Sequence, residues 1–275
     1  MTAERQPDSS AITNLTGAVS GPPSIHITNL SVHYGDQVAL HDASLQVESG
    51  RLMALVGPSG CGKSSLLRCV NRLNDSIDNC RVRGRILLND LDLSGADISL
   101  VDLRRRVGML FQQPNPFPLS IRDNLIFPLR EHGLRNKREL ADRCEHYLRA
   151  VGLWTEVADS LGRSALALSG GQQQRLCLAR TLALQPQVLL LDEPCSALDP
   201  IASETVEQLI ASLRGQFTIL MVTHNLAQAR RLADDVTVCW VDQGCGCVLE
   251  SGSREHIFIH ASHPLTRAYC GGEKG

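Results

Sequence analysis

The chain has 275 residues, enough for one large domain or two small ones, and 43% of them are hydrophobic, which is ample for a core. A formal net charge of −2 offers no basic field for nucleic acid, so we expect no nucleic-acid partner. No apolar run reaches the length of about 18 residues that a membrane-spanning helix requires.

The N-terminal segment is rich in Ser, Thr, Pro and Gly and lacks the apolar stretch of a signal peptide, so we expect residues 1–23 to form a flexible tail. The ten cysteines do not resemble a disulfide framework in a chain of this length, and they indicate a reducing cytoplasm. Cys245 and Cys247 form a C-x-C pair with no second pair after it. This spacing favours a hairpin with small buried thiols over a metal site.

Alternating apolar and polar residues predict a half-buried strand over residues 25–32, and a second strand is predicted over residues 38–47. Tyr34 lies at the turn between them. An aromatic ring at this place could stack on an adenine, and it could equally pack on the sheet. The residues alone support both interpretations.

A glycine-rich loop follows the next strand. Residues 52–56 are an apolar run that predicts a buried strand, and residues 64–73 carry apolar side chains at helical spacing. The loop between them fits G-x-x-x-x-G-K-[ST], the phosphate-binding P-loop. Glycines let backbone N–H groups approach phosphate oxygens, and the following helix adds its positive N-terminal end. We expect Lys63 to pair with the β- and γ-phosphates and Ser64 to bind Mg²⁺. The residues expected around the nucleotide phosphates are Gly57, Pro58, Ser59, Gly60, Cys61, Gly62, Lys63, Ser64 and Ser65.

A candidate amide lies at the end of a later strand. A strand over residues 83–91 and a basic helix over residues 100–106 lead into the buried strand of residues 107–111, which ends at Gln112. Open α/β sheets bind ligands at the carboxyl ends of their strands, so Gln112 is a candidate ligand-binding residue. A loop glutamine that is simply solvated remains the alternative.

The middle of the chain predicts a helical insert. Residues 120–168 contain three amphipathic patterns, at 121–130, 137–150 and 154–161, with no strand pattern between them. We expect an inserted α-helical subdomain here, spanning about residues 114–180 with its flanks. Near its end, Leu168-Ser-Gly-Gly-Gln-Gln-Gln-Arg175 precedes a helix and predicts a second N-terminus suited to an anion, without a lysine.

Two acids and a histidine follow the last core strands. The apolar run of residues 188–191 ends in Asp192 and Glu193, which suit a magnesium ligand and a residue that orients or deprotonates water. Residues 196–200 form a loop before a helix, and the strand of residues 218–223 ends at His224, where it could contact a γ-phosphate. Residues 236–250 predict a β-hairpin, followed by short helices, with no chemistry expected.

Taken in order, these residues resemble the ATP-binding subunit of ABC transporters over about residues 24–250. The resemblance implies an α/β fold, a P-loop NTPase of the ABC ATPase type with a RecA-like core, an N-terminal antiparallel β region and the inserted helical subdomain, in one domain of residues 24–275. It also implies ATP and Mg²⁺ as cofactors, with Tyr34 on the adenine. The residues it assigns to catalysis are Lys63, Gln112, Glu193 and His224; those it assigns to Mg²⁺ are Ser64, Gln112 and Asp192; those of the signature and D-loop are Ser169, Gly170, Gly171, Gln172 and Asp199.

Four segments resemble the phosphate-importer ATPases more closely. They are Cys69-Val-Asn-Arg-Leu-Asn-Asp75, Pro114-Asn-Pro-Phe-Pro118, Leu153-Trp154 and Pro194-Cys-Ser-Ala-Leu-Asp-Pro200. Ser65 replaces the threonine usual in that family, the Cys-rich hairpin differs from its usual short turn, and the tail is unmatched.

The resemblance implies a set of partners. These are a homodimer in which each ATP lies between one P-loop and the other subunit's signature, two integral-membrane permease subunits, and indirectly a periplasmic or extracellular phosphate-binding protein. The expected location is peripheral, at the cytoplasmic face of the cell (inner) membrane. The exposed side of the helical insert, with residues 114–118, is the expected docking surface for a membrane subunit. Phe117 could instead pack inside the subdomain.

Three other functions remain open. One is the same enzyme on another importer, for example of polar amino acids. The second is an ABC ATPase that acts in DNA repair or on the ribosome, which would require a coiled-coil insertion, a second cassette or a basic patch. The third is a regulatory protein with vestigial ATP binding, which Lys63, Asp192, Glu193 and His224 oppose.

Overall fold

A computed structural model describes residues 22–95 and 98–273. Most of the predicted tail, residues 1–21, lies outside the described residues. Its last two residues contact the body of the domain: the Thr218 hydroxyl donates a hydrogen bond to the Pro23 carbonyl at 2.6 Å, and the Ser49 hydroxyl donates one to the Pro22 carbonyl.

A four-stranded antiparallel sheet forms the N-terminal part of the domain. Its strands are β1 (Ile25–Tyr34), β2 (Gln37–Val47), β4 (Cys80–Leu88) and β5 (Leu91–Asp92), in the order β2-β1-β4-β5. Buried and exposed residues alternate along β2, as expected of a sheet with one solvated face. The predicted N-terminal antiparallel region is confirmed.

A six-stranded sheet forms the core. In chain order its strands are β3 (Leu52–Val56), β6 (Val107–Leu110), β7 (Val188–Asp192), β8 (Thr218–Val222), β9 (Asp235–Asp242) and β10 (Cys245–Ser253). The spatial order is β10-β9-β3-β8-β7-β6, parallel except for the antiparallel edge strand β10. All residues of β3, β7 and β8 are buried, because helices or the other sheet cover both faces.

Ten helices are described. They are α1 (Lys63–Val70), α2 (Leu100–Arg106), α3 (Ile121–Glu131), α4 (Lys137–Ala150), α5 (Trp154–Val157), α6 (Gly170–Ala183), α7 (Pro200–Ser212), α8 (Leu226–Leu232), α9 (Arg254–Ile259) and α10 (Pro264–Cys270). Short 3₁₀ segments are Leu73–Ser76, Ala158–Ser160 and Ala165–Ala167. Within the described ranges, no helix has the length and apolar character to cross a membrane.

The helical insert leaves the core and returns to it at one neck. Residues 120–168, all of them described, contain helices α3 to α5 and no strand. At the neck, the Ile121 N–H donates to the Arg163 carbonyl at 2.9 Å, and the Ala165 N–H donates to the Leu119 carbonyl at 2.9 Å. A single β-bridge joins Ser120 to Ser164. The insert is therefore attached through two adjacent chain segments, next to α6.

Candidate functional site

The loop between β3 and α1 is pressed against two neighbouring strands. Gly57 has φ of 144°, and a Cβ added there would lie 2.1 Å from the Cys239 carbonyl oxygen in β9. Gly62 has φ of 84°, and a Cβ there would lie 2.6 Å from the Ala39 carbonyl oxygen in β2. Only glycine fits at these two positions, so the close packing fixes the course of the loop.

Lys63 closes the loop from inside. Its side chain is buried, with 6% of the residue exposed, and its Nζ donates to the Gly57 carbonyl at 2.8 Å and to the Pro58 carbonyl at 2.7 Å. Both partners are neutral, whereas Ser59 and Gly60 at the top of the loop are exposed. The third contact of the Lys63 Nζ is the Cys61 sulfur at 3.4 Å, and the lysine charge helps to lower the pKa of that thiol. A buried ammonium whose shortest contacts are two carbonyls, facing an open backbone loop, fits an anionic phosphate.

Ser64 and Asp192 bring two oxygen donors together beside this loop. The Ser64 hydroxyl donates to Asp192 Oδ1 at 2.7 Å, and Asp192 is buried at the end of β7. Burial raises the pKa of Asp192, while the Ser64 hydrogen bond and the charge of Arg68 oppose that rise. Hydroxyl and carboxylate oxygens are ligands that Mg²⁺ prefers, so this pair fits the ion.

Three predicted catalytic side chains converge on one carboxylate oxygen. Gln112 Nε2 donates to Glu193 Oε2 at 2.9 Å, and His224 Nδ1 lies 3.1 Å from the same oxygen. These residues follow β6, β7 and β8, which are adjacent parallel strands, so their carboxyl ends meet at one edge of the sheet. Glu193 has φ of 48°, and its N–H donates to the Val222 carbonyl at 2.9 Å, which holds the backbone in this conformation.

Tyr34 lies beside the start of α1. Its hydroxyl donates to Ser65 Oγ at 3.1 Å and is 3.4 Å from Asn74 Oδ1. Burial raises the pKa of the phenol, and the Ser65 hydrogen bond opposes that rise. The ring is thus held next to the phosphate loop, and its stacking on an adenine stays a prediction.

The signature residues make their contacts elsewhere. Ser169 and Gln172 form a capping box: the Ser169 N–H donates to Gln172 Oε1 at 2.9 Å, and the Gln172 N–H donates to Ser169 Oγ at 3.3 Å. A Cβ on Gly171 would lie 2.7 Å from the Cβ of Ala202 in α7. Asp199 caps that helix, accepting from the Ile201 and Ala202 N–H groups at 3.0 Å each. These contacts are with α7 and the signature helix itself, not with the P-loop.

Comparison with known proteins assigns the chain to a family. A family model described as "ABC transporter" matches residues 40–196. The chain belongs to the ABC transporter family.

Relatives within this family are similar over most of the chain. "Phosphate import ATP-binding protein PstB 1" of Nitrosococcus oceani is 54% identical over 226 residues, which are 82% of this chain and 82% of that protein. "Phosphate import ATP-binding protein PstB 2" of Listeria monocytogenes is 48% identical over 225 residues, again 82% of each. The fold also matches a solved structure, "Structure of a bacterial Atm1-family ABC exporter with ATP bound", with a TM-score of 0.75 and 26% identity. That match covers 96% of this chain and 44% of the exporter chain.

In this ABC transporter chain, the C-terminal hairpin supports the P-loop, a role that the sequence did not indicate. The interaction between the Cys239 side chain in β9 and the Cys61 thiol lowers the pKa of Cys61 and raises that of Cys239. A Cβ on Gly246 would lie 2.4 Å from the Cys61 carbonyl oxygen and 2.5 Å from that of Ala39. The sequence predicted the hairpin but not its packing against the P-loop.

Phe117 packs within the helical subdomain. Its ring is half-buried, meets Phe127 edge-to-face with centroids 5.8 Å apart, and lies 4.2 Å from the Arg180 guanidinium carbon. Phe127 is the more exposed of the two rings, with 47% of the residue accessible. The aromatic surface at this place is therefore formed mainly by Phe127.

We expect Asp192→Asn to raise the thermal stability of the nucleotide-free protein by about 2–4 °C at neutral pH. A raised pKa means that folding penalises the ionised carboxyl, and Asn still accepts the Ser64 hydrogen bond. The gain should shrink as pH falls through the usual carboxyl range, because Asp192 is then protonated in both states. Thermal unfolding checks this, with exposed Asp142→Asn as the control. A lower unfolding temperature would mean that Arg68 and Ser64 outweigh the desolvation.

Proposed function

We propose that this chain is the ATP-hydrolysing subunit of an ABC importer for inorganic phosphate. Membership of the ABC transporter family supports ATP binding and hydrolysis. The observation that supports phosphate as the solute is the 54% identity to a protein named for phosphate import, over 82% of both chains. The segments of residues 69–75 and 114–118 support the same solute, since they resemble the phosphate-importer ATPases.

The P-loop residues hold the triphosphate. Lys63 supplies the counter-charge, and the exposed backbone of Ser59 and Gly60 supplies N–H donors. Ser64 and Asp192, with Gln112, are the residues that would hold Mg²⁺. When bound, this ion neutralises phosphate charge and polarises the γ-phosphate.

Glu193 orients the attacking water and accepts its proton. Gln112 and His224 hold its Oε2 from two neighbouring strand ends, so the carboxylate is fixed before substrate binds. A γ-phosphate near His224 would draw the histidine away from Glu193, so that the water could take its place on Oε2 beside Gln112. This exchange of partners would link nucleotide binding to activation of the base.

The site is completed by a second copy of the chain. Ser169 and Gly171 present a helix N-terminus that contacts α7 and not the chain's own P-loop. A head-to-tail homodimer would place this N-terminus on the γ-phosphate held by the partner subunit. Asp199, which begins α7 beside the signature, would lie at the same interface.

Membrane subunits couple the dimer to transport. We expect the dimer to lie at the cytoplasmic face of the cell membrane, where two permease subunits would supply the pathway for the solute. A phosphate-binding protein on the opposite side would deliver the solute to them. The neck at residues 119–122 and 161–165 permits the helical insert to rotate against the core when Gln112 changes partners.

Uptake measurements test the solute. The gene is expressed in cells that lack their own phosphate-import ATPase but retain the other transporter subunits, and uptake of labelled phosphate and of labelled polar amino acids is compared. Restored phosphate uptake alone supports the proposal. Restored amino-acid uptake, or ATPase activity of the purified protein with no restored uptake, would contradict the phosphate assignment.

We expect Phe127→Asp to abolish phosphate uptake and to leave ATPase activity of the isolated subunit near that of the wild type. Its ring is half-exposed on the helical insert and contacts Phe117, away from the nucleotide site. A charge there would disrupt an apolar contact with a membrane subunit. Val101→Asp, at a more exposed position on α2, is the control. Normal uptake at normal protein levels would exclude this docking surface.

A further inference from the structure

A polar network joins α7 to α8 behind the catalytic residues. Glu207 of α7 is nearly buried, with 13% of its side chain accessible. Arg231 of α8 donates to it through Nε to Oε2 and through Nη2 to Oε1, at 3.0 Å each. Gln228 of α8 donates to Glu207 Oε1 at 3.1 Å. Both carboxylate oxygens of Glu207 are thus bound by the helix that follows His224.

Gln228 carries this network towards the catalytic glutamate. Only 3% of Gln228 is exposed, and it lines the same space as Cys195, which lies two residues after Glu193. The Cys195 sulfur also lies 3.8 Å from the Ser203 carbonyl oxygen of α7. The chain segment leaving Glu193, the D-loop helix α7 and the helix α8 therefore share one cluster of partly buried polar side chains.

His224 depends on this arrangement for its position. Its side chain is 60% exposed, and its one ion-pair contact is Glu193 Oε2. The backbone that carries it is held by the Thr223 N–H bond to the Leu55 carbonyl, at 3.1 Å, and by α8, whose first turn is capped by Asn225. A movement of α8 against α7 would therefore change the distance between the histidine ring and Glu193.

At the end nearest His224, polar contacts add to the apolar packing that joins α7 and α8 through Leu209 and Leu232 of the core. A cavity of about 730 Å³ opens between them, and Glu193, His224, Glu207 and Arg231 all line it. The Glu207 contacts bridge the two helices at the edge of this space.

We propose that Glu207 is a positioning residue for ATP hydrolysis. Bound to Gln228 and Arg231, it holds α8 against α7 and so keeps His224 Nδ1 within contact distance of Glu193 Oε2. The inference rests on the proposed function. Glu207 touches none of the P-loop residues that hold the triphosphate. Its loss therefore acts on turnover and leaves ATP binding intact.

Steady-state ATPase kinetics of the purified wild type and four variants test the proposal. Glu207→Ala should lower kcat about tenfold or more while KM for ATP stays within about twofold of the wild type. Glu204→Ala is the matched control, because Glu204 lies one turn earlier on α7, is exposed, and pairs only with Gln208. Glu207→Gln should give an intermediate kcat, since the amide keeps one acceptor. The exchange Glu207→Arg with Arg231→Glu should restore most of the activity.

The outcomes separate positioning from simple stability. Thermal unfolding is measured for each variant, and kcat is compared below the lowest unfolding temperature. If Glu207→Ala does not fold, Glu207→Gln and the charge exchange decide. A wild-type kcat in Glu207→Ala or Glu207→Gln overturns the proposal, and so does an equal fall in Glu204→Ala. An inactive wild type would overturn the proposed function as well, whereas a fully active Glu207 variant overturns this inference alone.

Discussion

The Lys63→Ala variant should bind ATP about 30- to 3,000-fold more weakly than the wild type. The ammonium is the buried counter-charge of the loop, and its removal leaves the triphosphate facing neutral groups. Isothermal titration or displacement of a fluorescent nucleotide measures this change. Lys137→Ala, an exposed lysine at the start of α4, is the matched control and should bind normally.

Lys63→Ala also changes the stability of the nucleotide-free protein, and this effect must be measured separately. Without Lys63, the Gly57 and Pro58 carbonyls lose their donor, and each buried unpaired group costs about 1–3 kcal/mol. Water that enters the loop would reduce that cost. Thermal unfolding without nucleotide therefore measures the stability lost with the loop contacts. The ATP affinity of the folded fraction measures the effect of losing the charge. ATP affinity equal to that of the wild type would refute the P-loop assignment.

The Glu193→Gln variant should lose about 10²- to 10⁴-fold in ATP turnover and should still bind ATP. The amide keeps the shape of the side chain but cannot accept the proton of the attacking water. Gln112 and His224 can still contact its oxygen, so the loop conformation at φ of 48° should persist. Single-turnover hydrolysis measures the loss, and retained turnover would assign the base elsewhere.

Blocked hydrolysis should also reveal the dimer. Without nucleotide we expect a monomer or weak association, and with ATP we expect Glu193→Gln to run as a dimer in size-exclusion chromatography. Addition of Ser169→Arg, at an exposed signature position, should keep the double variant monomeric because a long side chain then occupies the phosphate position. A persistent Glu193→Gln monomer at high concentration with ATP would contradict the head-to-tail arrangement.

The strands and the acids were predictable because their signals are local. The apolar runs of β3 and β7 are strands buried on both faces, and polar residues that follow such strands lie at one edge of a parallel sheet. Gln112, Glu193 and His224 lie at the ends of adjacent strands, where this rule expects them, and their side chains meet at one oxygen. Their catalytic roles stay predictions. Local pattern was sufficient wherever a residue's partner is determined by strand order.

Contacts between distant segments were not predictable. Gly246 lies against the P-loop because β10 folds back over it, and nothing in the C-G-C spacing encodes that approach. Glu207 and Arg231 each look like ordinary solvated charges on an amphipathic helix. Their pairing depends on how α7 and α8 are packed, which no single-helix periodicity reports. The partial burial of Phe117 was unpredictable for the same reason, since its ring contacts Phe127 and Arg180.

The central place of β3 has a consequence for biosynthesis. Its two neighbours, β8 and β9, come from residues 218–242, so the strand that leads into the P-loop is made long before either partner. At about 5–20 residues per second, the ribosome takes roughly 10–30 s to supply the missing strands. During that interval the nascent chain carries an apolar strand with both edges unpaired and no finished phosphate cradle. ATP therefore has no complete phosphate cradle to bind, and cannot assist folding, until the chain has been made as far as β9.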